Sequence, residues 1–157
     1  MRGNSFVRLM LPVVALVSAC GLARPGSATP QSLPSPAGNW TVELTQSGGF
    51  AGVQINLEVT SAGQLTATDE RSGRTVTQTL SAETMVQLRR LIAQAGVSDA
   101  GGNPSACADC FIYDLTLKSD SGTIQMRADD VTLGDSRAQA LISYLRTLRD
   151  AALASQP

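Results

Sequence analysis

The strongest constraint on the fold is a change in the spacing of apolar residues along the chain. Apolar and polar side chains alternate in six stretches, and a period of two is typical of half-buried antiparallel strands. Four of these stretches come first, a helical spacing follows, two more alternating stretches come next, and a second helical spacing ends the chain. The predicted strands are residues 40–45, 53–60, 65–68, 75–80, 111–117 and 124–128.

Both predicted helices carry local signals for their ends. The first begins behind Ser81, a good N-cap, and has Gly96 as its expected stop, whereas Asp135 is the expected N-cap of the second. Arg89 and Arg90 should form a solvated face. The order ββββαββα predicts an α+β fold, in which one antiparallel sheet of about six strands is covered by two helices. The residues expected on the buried helix faces are Met85, Leu88, Leu91, Ile92, Ala95, Ala138, Leu141, Ile142, Leu145 and Leu148.

The first 20 residues predict export and lipidation. Arg2 and Arg8 border the start of an apolar run that ends in small residues directly before Cys20, which is the pattern of a secretory signal with a bacterial lipobox. The run covers only about 14 residues, whereas a membrane span needs roughly twenty. We expect Cys20 to become the acylated first residue of an extracytoplasmic protein, held on the outer membrane if the source has one. An ordinary signal peptide with a chance cysteine is the alternative.

Composition divides the chain into three parts and excludes nucleic acid as a partner. Residues 1–20 are the predicted lipoprotein signal peptide, residues 21–38 are a Pro-, Ser- and Gly-rich tether, and residues 39–154 are long enough for one folded domain. Cleavage removes two of the 12 basic residues and none of the 13 acidic ones, which leaves a net charge of −3. The chain therefore lacks the excess of basic residues that is typical of nucleic-acid-binding proteins.

The sequence contains no histidine, which is the side chain that most often serves as a general base or a metal ligand near neutral pH. Histidine-dependent triads, zinc sites and Cys-His pairs are thereby excluded. The acidic pairs Asp69-Glu70 and Asp129-Asp130 are the best remaining candidates for catalysis. Neighbours on a strand point to opposite faces, so we interpret both pairs as solvated surface. We expect no enzymatic activity, no metal and no cofactor.

Cys107 and Cys110 are the two cysteines other than Cys20. Outside the cytoplasm we expect them to form a structural disulfide. A redox site would need the pair at a helix N-terminus, whereas Cys110 leads directly into a predicted strand. Redox chemistry, metal binding and free thiols are the less favoured alternatives. The closed loop is short, so the crosslink should stabilise the fold by only about 2 kcal/mol.

The candidate partner-binding residues are Gly48, Gly49, Phe50, Ala51 and Gly52, between the first two predicted strands. Glycines permit positive φ and a close approach of the backbone to another surface. Two positions are open to Phe50: at the exposed tip toward a partner, or folded back into the core of a bulged hairpin. A phosphate-binding loop is disfavoured, because the glycines lead into a strand and no lysine follows.

The same turn carries a resemblance to a known family. Its sequence is Ser-Gly-Gly-Phe-Ala-Gly-Val, and it is followed by Leu80-Ser-Ala-Glu at a helix start, Phe111-Ile-Tyr113 in a strand, a hairpin at Gly122 and a leucine-rich last helix. Over about residues 40–148 the chain resembles the emfourin family, proteinaceous inhibitors of thermolysin-like, protealysin-type metallopeptidases. It departs from that family in its lipoprotein signal, in a strand pair at about residues 63–80 and in its cysteine pair.

The resemblance implies a membrane-tethered inhibitor whose partner is a secreted thermolysin-like metallopeptidase. Such a protein would occupy the active-site cleft of the enzyme with exposed loops and would need no chemistry of its own. The alternative hypothesis is a non-catalytic envelope lipoprotein that binds a small ligand or an envelope component and shares only the fold.

Overall fold

The computed structural model describes residues 38–95 and 107–155. The predicted signal peptide with Cys20, the predicted tether apart from Gly38, the expected helix stop Gly96 and the expected loop at residues 101–105 lie outside these ranges. The strands are β1 (Trp40–Gly48), β2 (Val53–Thr60), β3 (Gln64–Asp69), β4 (Arg74–Thr79), β5 (Phe111–Ser119) and β6 (Gly122–Asp129), and the helices are α1 (Ala82–Gln94) and α2 (Gln139–Ala154).

The six strands form one antiparallel sheet in the order β4-β3-β2-β1-β5-β6. Sequential neighbours are joined by hairpins, while the long pairing of β1 with β5 runs from Trp40↔Ser119 to Gly48↔Phe111. The expected turn before Gly122 is present, because Ser119 pairs with Gly122 across it. The predicted α+β fold, with its element order ββββαββα, is confirmed.

Both helices pack on one face of the sheet, as the alternation predicted. Side chains at every second strand position meet the apolar helix faces, while the other face of the sheet is rich in threonine. The core includes Val42, Leu44, Leu57, Val59, Leu65, Ala67, Val76, Leu115 and Leu117 from the sheet and Leu88, Ile92, Leu141, Ile142 and Leu145 from the helices. Burying apolar area of this kind is the main favourable contribution to folding.

The ends of the two helices agree only in part with the predictions. Ser81 caps α1, because its hydroxyl accepts the N–H of Thr84 at 3.1 Å, and Arg89 and Arg90 are exposed as expected. The predicted cap at Asp135 is wrong. Asp135 ends a 3-10 helix at Leu133–Asp135, and α2 begins only at Gln139.

The 3-10 helix explains why α2 starts late. Its first residue, Leu133, is buried in the core, so a short turn packed on the core precedes α2. Ser136 then redirects the backbone, since its hydroxyl accepts the N–H of Ala138 at 3.0 Å.

Leu148, expected on the buried face of α2, is only partly buried. Within the described ranges, neither α1 nor α2 has the length and apolar character required to cross a bilayer.

Candidate functional site

Four connections meet at one end of the sheet, which we call the loop end. Because neighbouring strands are antiparallel, the turns that leave β1, β3 and β6 lie at the same end as the segment that enters β5. These connections are residues 49–52, 70–73, 130–132 and 107–110. The loop end therefore brings together the predicted partner-binding segment and the cysteine pair, which are far apart in sequence.

Gly48 and Gly49 place the β1–β2 turn directly against the start of β5. Their φ angles are +93° and +70°, which side chains with a Cβ rarely adopt. A Cβ added to Gly48 would lie 2.7 Å from the carbonyl oxygen of Cys110, and one added to Gly49 would lie 2.7 Å from Cε1 of Phe111. Glycine is required at both positions, for the conformation and for the close approach.

Phe50 stands at the exposed tip of this turn. Its side chain is 97% exposed, so of the two positions open to Phe50 the structure has the exposed one. Two hydrogen bonds define the turn: the N–H of Gly49 donates to the carbonyl of Cys110 at 3.2 Å, and the N–H of Gly52 donates to the carbonyl of Gly49 at 3.0 Å. Ala51 and Gly52 are also exposed. An aromatic side chain on a turn whose backbone is held in this way offers a large apolar contact area.

The cysteine pair borders the turn. The sulfur atoms of Cys107 and Cys110 lie at disulfide-bonding distance, with their Cα atoms 5.6 Å apart. Phe111, the next residue, is the first of β5, so the pair precedes a strand rather than a helix. The helix dipole that activates a redox thiol is therefore not supplied at this position. A crosslink here restrains the carbonyl of Cys110 that holds Gly49.

Arg149 fixes β1 from the core side, close to the turn. Its buried guanidinium donates from Nη1 to Oε1 of Gln46 at 2.8 Å, and from Nε to Oδ1 of Asp150 at 2.8 Å. Gln46 is also buried and lies two residues before Gly48. Hydrogen bonds from a charged donor are stronger than neutral ones. The bond to Gln46 ties α2 to β1, the strand that leads into the Phe50 turn.

Asp130 fixes the turn after β6 to β5. Its carboxylate accepts the N–H of Phe111 and the hydroxyl of Tyr113, each at 2.8 Å, and its own N–H donates to the carbonyl of Phe111 at 3.2 Å. The ring of Phe111 lies beside Gly49. Phe111 thus connects the turn after β6 with the turn that carries Phe50.

Asp129 corrects the interpretation of the acidic pairs as solvated surface. Asp130 and Glu70 are exposed, but Asp129 is only 1% exposed. Its Oδ1 accepts the N–H of Val131 at 3.0 Å, the N–H of Thr132 at 2.8 Å and the hydroxyl of Thr132 at 2.9 Å. The prediction was wrong for Asp129 because the chain turns immediately after it, so that its carboxylate folds back over its own backbone.

Asp69 serves its own turn in a similar way. Its carboxylate accepts the hydroxyl of Ser72 at 2.8 Å and the N–H of Arg71 at 3.0 Å. The hydrogen bond from Ser72 is the main cause that lowers the pKa of this carboxyl. Within residues 38–95 and 107–155, His, Cys, Asp and Glu side chains form no group of three that could hold a metal ion. The carboxylates of Asp69 and Asp129 thus act as acceptors within their own turns.

Sequence reasoning missed several residues that shape the loop end. Gln46 occupies an inward position of the alternation that starts at Trp40, and Arg149 lies at helical spacing from Leu145 and Ala152. Each is a polar residue at a position where the pattern of its strand or helix expects an apolar one. That coincidence was the available signal for a buried polar pair. Val131 gave no such signal, because a single valine after a strand has no periodicity of its own.

The buried phenol of Tyr113 should make stability depend on pH at the alkaline end. Burial, followed by the hydrogen bond to Asp130, raises the pKa of Tyr113 from 10.0 to about 12. The folded-state pKa lies above the unfolded value, so the stabilisation is complete below pH 10.0 and is lost as the pH rises through about 12. We expect the free energy of unfolding, measured by urea denaturation, to fall across this window.

The Tyr113→Phe variant should show a smaller fall over the same window, because it has no phenol to ionise. Tyr144, half-buried on α2, gives the matched control. The Tyr144→Phe variant keeps Tyr113, so we expect it to retain the fall across this window. Identical profiles for the parent and Tyr113→Phe would show that Tyr113 is not responsible.

No protein-family model matches the sequence, and no curated protein matches it significantly. The loop end presents an exposed aromatic side chain on a turn that is fixed by glycine contacts, backbone hydrogen bonds and the buried Arg149–Gln46 pair. Such an arrangement can bind another molecule through surface contact.

Proposed function

We propose that the chain is a membrane-tethered extracytoplasmic inhibitor of thermolysin-like metallopeptidases, which it blocks by placing the Phe50 turn in the active-site cleft. The observation that carries the proposal is the exposure of Phe50, at 97%, on a turn of defined shape. A side chain of this kind is a good candidate for an interface anchor, because aromatic residues buried at the centre of an interface dominate binding energies. The resemblance to the emfourin family supplies the class of partner.

The fixed geometry of the turn supports inhibition by contact alone. Ordering a flexible loop on binding costs free energy, whereas a loop already held in its bound shape avoids most of that cost. The contacts of Gly48 and Gly49 with β5 and the Arg149–Gln46 pair hold the β1 end of this turn. The chain would then act without chemistry of its own, which is why we propose that it is not an enzyme.

The proposal is tested by measuring binding with the active site open and closed. The soluble chain, residues 21–157, is titrated calorimetrically into thermolysin, and then into thermolysin whose active site is filled by a tight small-molecule inhibitor. We expect heat of binding with the open enzyme and none with the blocked enzyme. A serine peptidase serves as the control for nonspecific contact. Equal binding to open and blocked thermolysin would contradict occupation of the cleft.

The location of the protein is proposed from Cys20, which follows small residues in the predicted lipobox. The Cys20→Ala variant should be left unprocessed or released, because the thiol that accepts the lipid is absent. Fractionation and electrophoretic mobility measure both properties. Cys107→Ala, which keeps Cys20, is the control and should stay with the membrane. A Cys20→Ala protein that is cleaved at the same place and still fractionates with membranes would contradict the assignment.

A further inference from the structure

Val131 is a second exposed apolar side chain at the loop end. It is 61% exposed and lies in the turn that leaves β6, just as Phe50 lies in the turn that leaves β1. Only β5 separates β1 from β6 in the sheet. With two strand spacings between them, the ends of β1 and β6 are about 10 Å apart. Phe50 and Val131 are therefore within reach of a single partner surface.

The turn that carries Val131 is also held by hydrogen bonds to the rest of the chain. The buried carboxylate of Asp129 accepts the N–H of Val131 at 3.0 Å and the N–H of Thr132 at 2.8 Å. The carboxylate of Asp130 holds the same turn to the N–H of Phe111. Two adjacent carboxylates, one of them buried, thus fix this short surface turn. Val131 is the large apolar side chain of the turn, and it lies outside the core.

The two turns are connected through one residue. Phe111 lies against Gly49 with its ring, and its backbone N–H and carbonyl both pair with Asp130. A shift of either turn would disturb this residue. The backbones of the two turns are consequently held in a fixed relation, which is what a preformed two-point contact requires.

We infer that the turn after β6, with Val131, is the second half of the contact surface whose first half is the Phe50 turn. The inference rests on the proposed function and deepens it. It assigns to the metallopeptidase a contact region with two apolar recesses, one for each of two turns that leave strands about 10 Å apart.

Charge at the loop end gives the chemistry of the surrounding contact. Glu70, Asp109 and Asp130 are exposed there, and Arg71 contributes a cation. Carboxylates thus lie at the same end of the sheet as the two apolar side chains. Complementarity predicts basic side chains around the recesses of the partner, and an association rate that falls as salt is added.

Valine variants at two sites of similar exposure test the inference. Val86 is 66% exposed on α1, and its neighbour Met85 packs beside Gly63 in the turn between β2 and β3, at the other end of the sheet. With the soluble chain, Val131→Ala should raise the inhibition constant for thermolysin about tenfold, since two methyl groups lose their contact. Val131→Asp should raise it by at least about 100-fold.

The corresponding Val86→Ala and Val86→Asp chains should inhibit like the parent, and all four variants should keep its melting temperature. If the parent inhibits and both Val131 variants inhibit equally well, the two-turn surface is overturned while the proposed function stands. A loss of inhibition that is matched by unfolding of the Val131 variants also overturns it. A parent chain that does not inhibit overturns the proposed function and this inference together.

Discussion

A Phe50→Ala soluble chain is expected to inhibit thermolysin at least about 30-fold more weakly than the parent, which corresponds to about 2 kcal/mol of binding free energy, and to keep the melting temperature of the parent. The reason is the position of the side chain. At 97% exposure the ring contributes almost nothing to the core, so its removal leaves no cavity. In the complex, the same ring would be buried.

Phe111→Ala is the matched control for this prediction. It makes the same change in a ring that is partly buried against the core and lies beside Gly49. Phe111→Ala should therefore lower the melting temperature, because contacts within the folded chain are lost. Inhibition constants and thermal unfolding curves are measured on the same preparations. A Phe50→Ala chain that loses stability like a core variant, or that inhibits as well as the parent, would remove Phe50 from the contact surface.

The Asp129→Ala substitution is expected to lower the free energy of unfolding by about 3 kcal/mol, because it leaves three donors of a part-buried turn without their acceptor. Those donors are the N–H of Val131 and the N–H and hydroxyl of Thr132. For a domain of this size, that loss corresponds to a melting temperature lower by roughly 10 °C. Urea and thermal unfolding both measure it.

Asp135→Ala is the control, because the sequence pattern and the structure predict different losses of stability for it. The pattern names Asp135 as a helix cap, for which replacement would cost about 1 kcal/mol, and treats Asp129 as surface. In the structure Asp135 lies exposed in the 3-10 helix, and Ala138 occupies the N-cap position of α2. We therefore expect Asp135→Ala to change the free energy of unfolding by less than about 0.5 kcal/mol. A larger loss of unfolding free energy for Asp135→Ala than for Asp129→Ala would contradict the structure.

Most of the fold could be predicted from the sequence, because periodicity records which side of an element is buried. The alternation around Val42 and Leu44, the helical spacing of Leu88 and Ile92 and the cap at Ser81 all depend on residues close together in the chain. In the structure each has the predicted role. The element order then defined the fold class.

The loop end could be predicted only in part. The glycines at positions 48 and 49 indicated a close approach, but the surface they approach, Cys110 and Phe111, is more than 60 residues away in sequence. The exposure of Phe50 depends on that same packing, so spacing alone could not decide it. Asp129 looks like an ordinary surface carboxylate until the following turn places its own backbone donors around it.

Titration of a fixed amount of thermolysin with the soluble chain, followed by residual peptidase activity, tests the central claim most directly. The enzyme concentration is set well above the expected dissociation constant, so that the end point reports stoichiometry. The proposed function predicts a linear loss of activity that reaches zero near one inhibitor per enzyme. The Phe50→Ala chain should need a much higher concentration to cause the same loss of activity. Full activity in the presence of a large excess of the parent chain would contradict it.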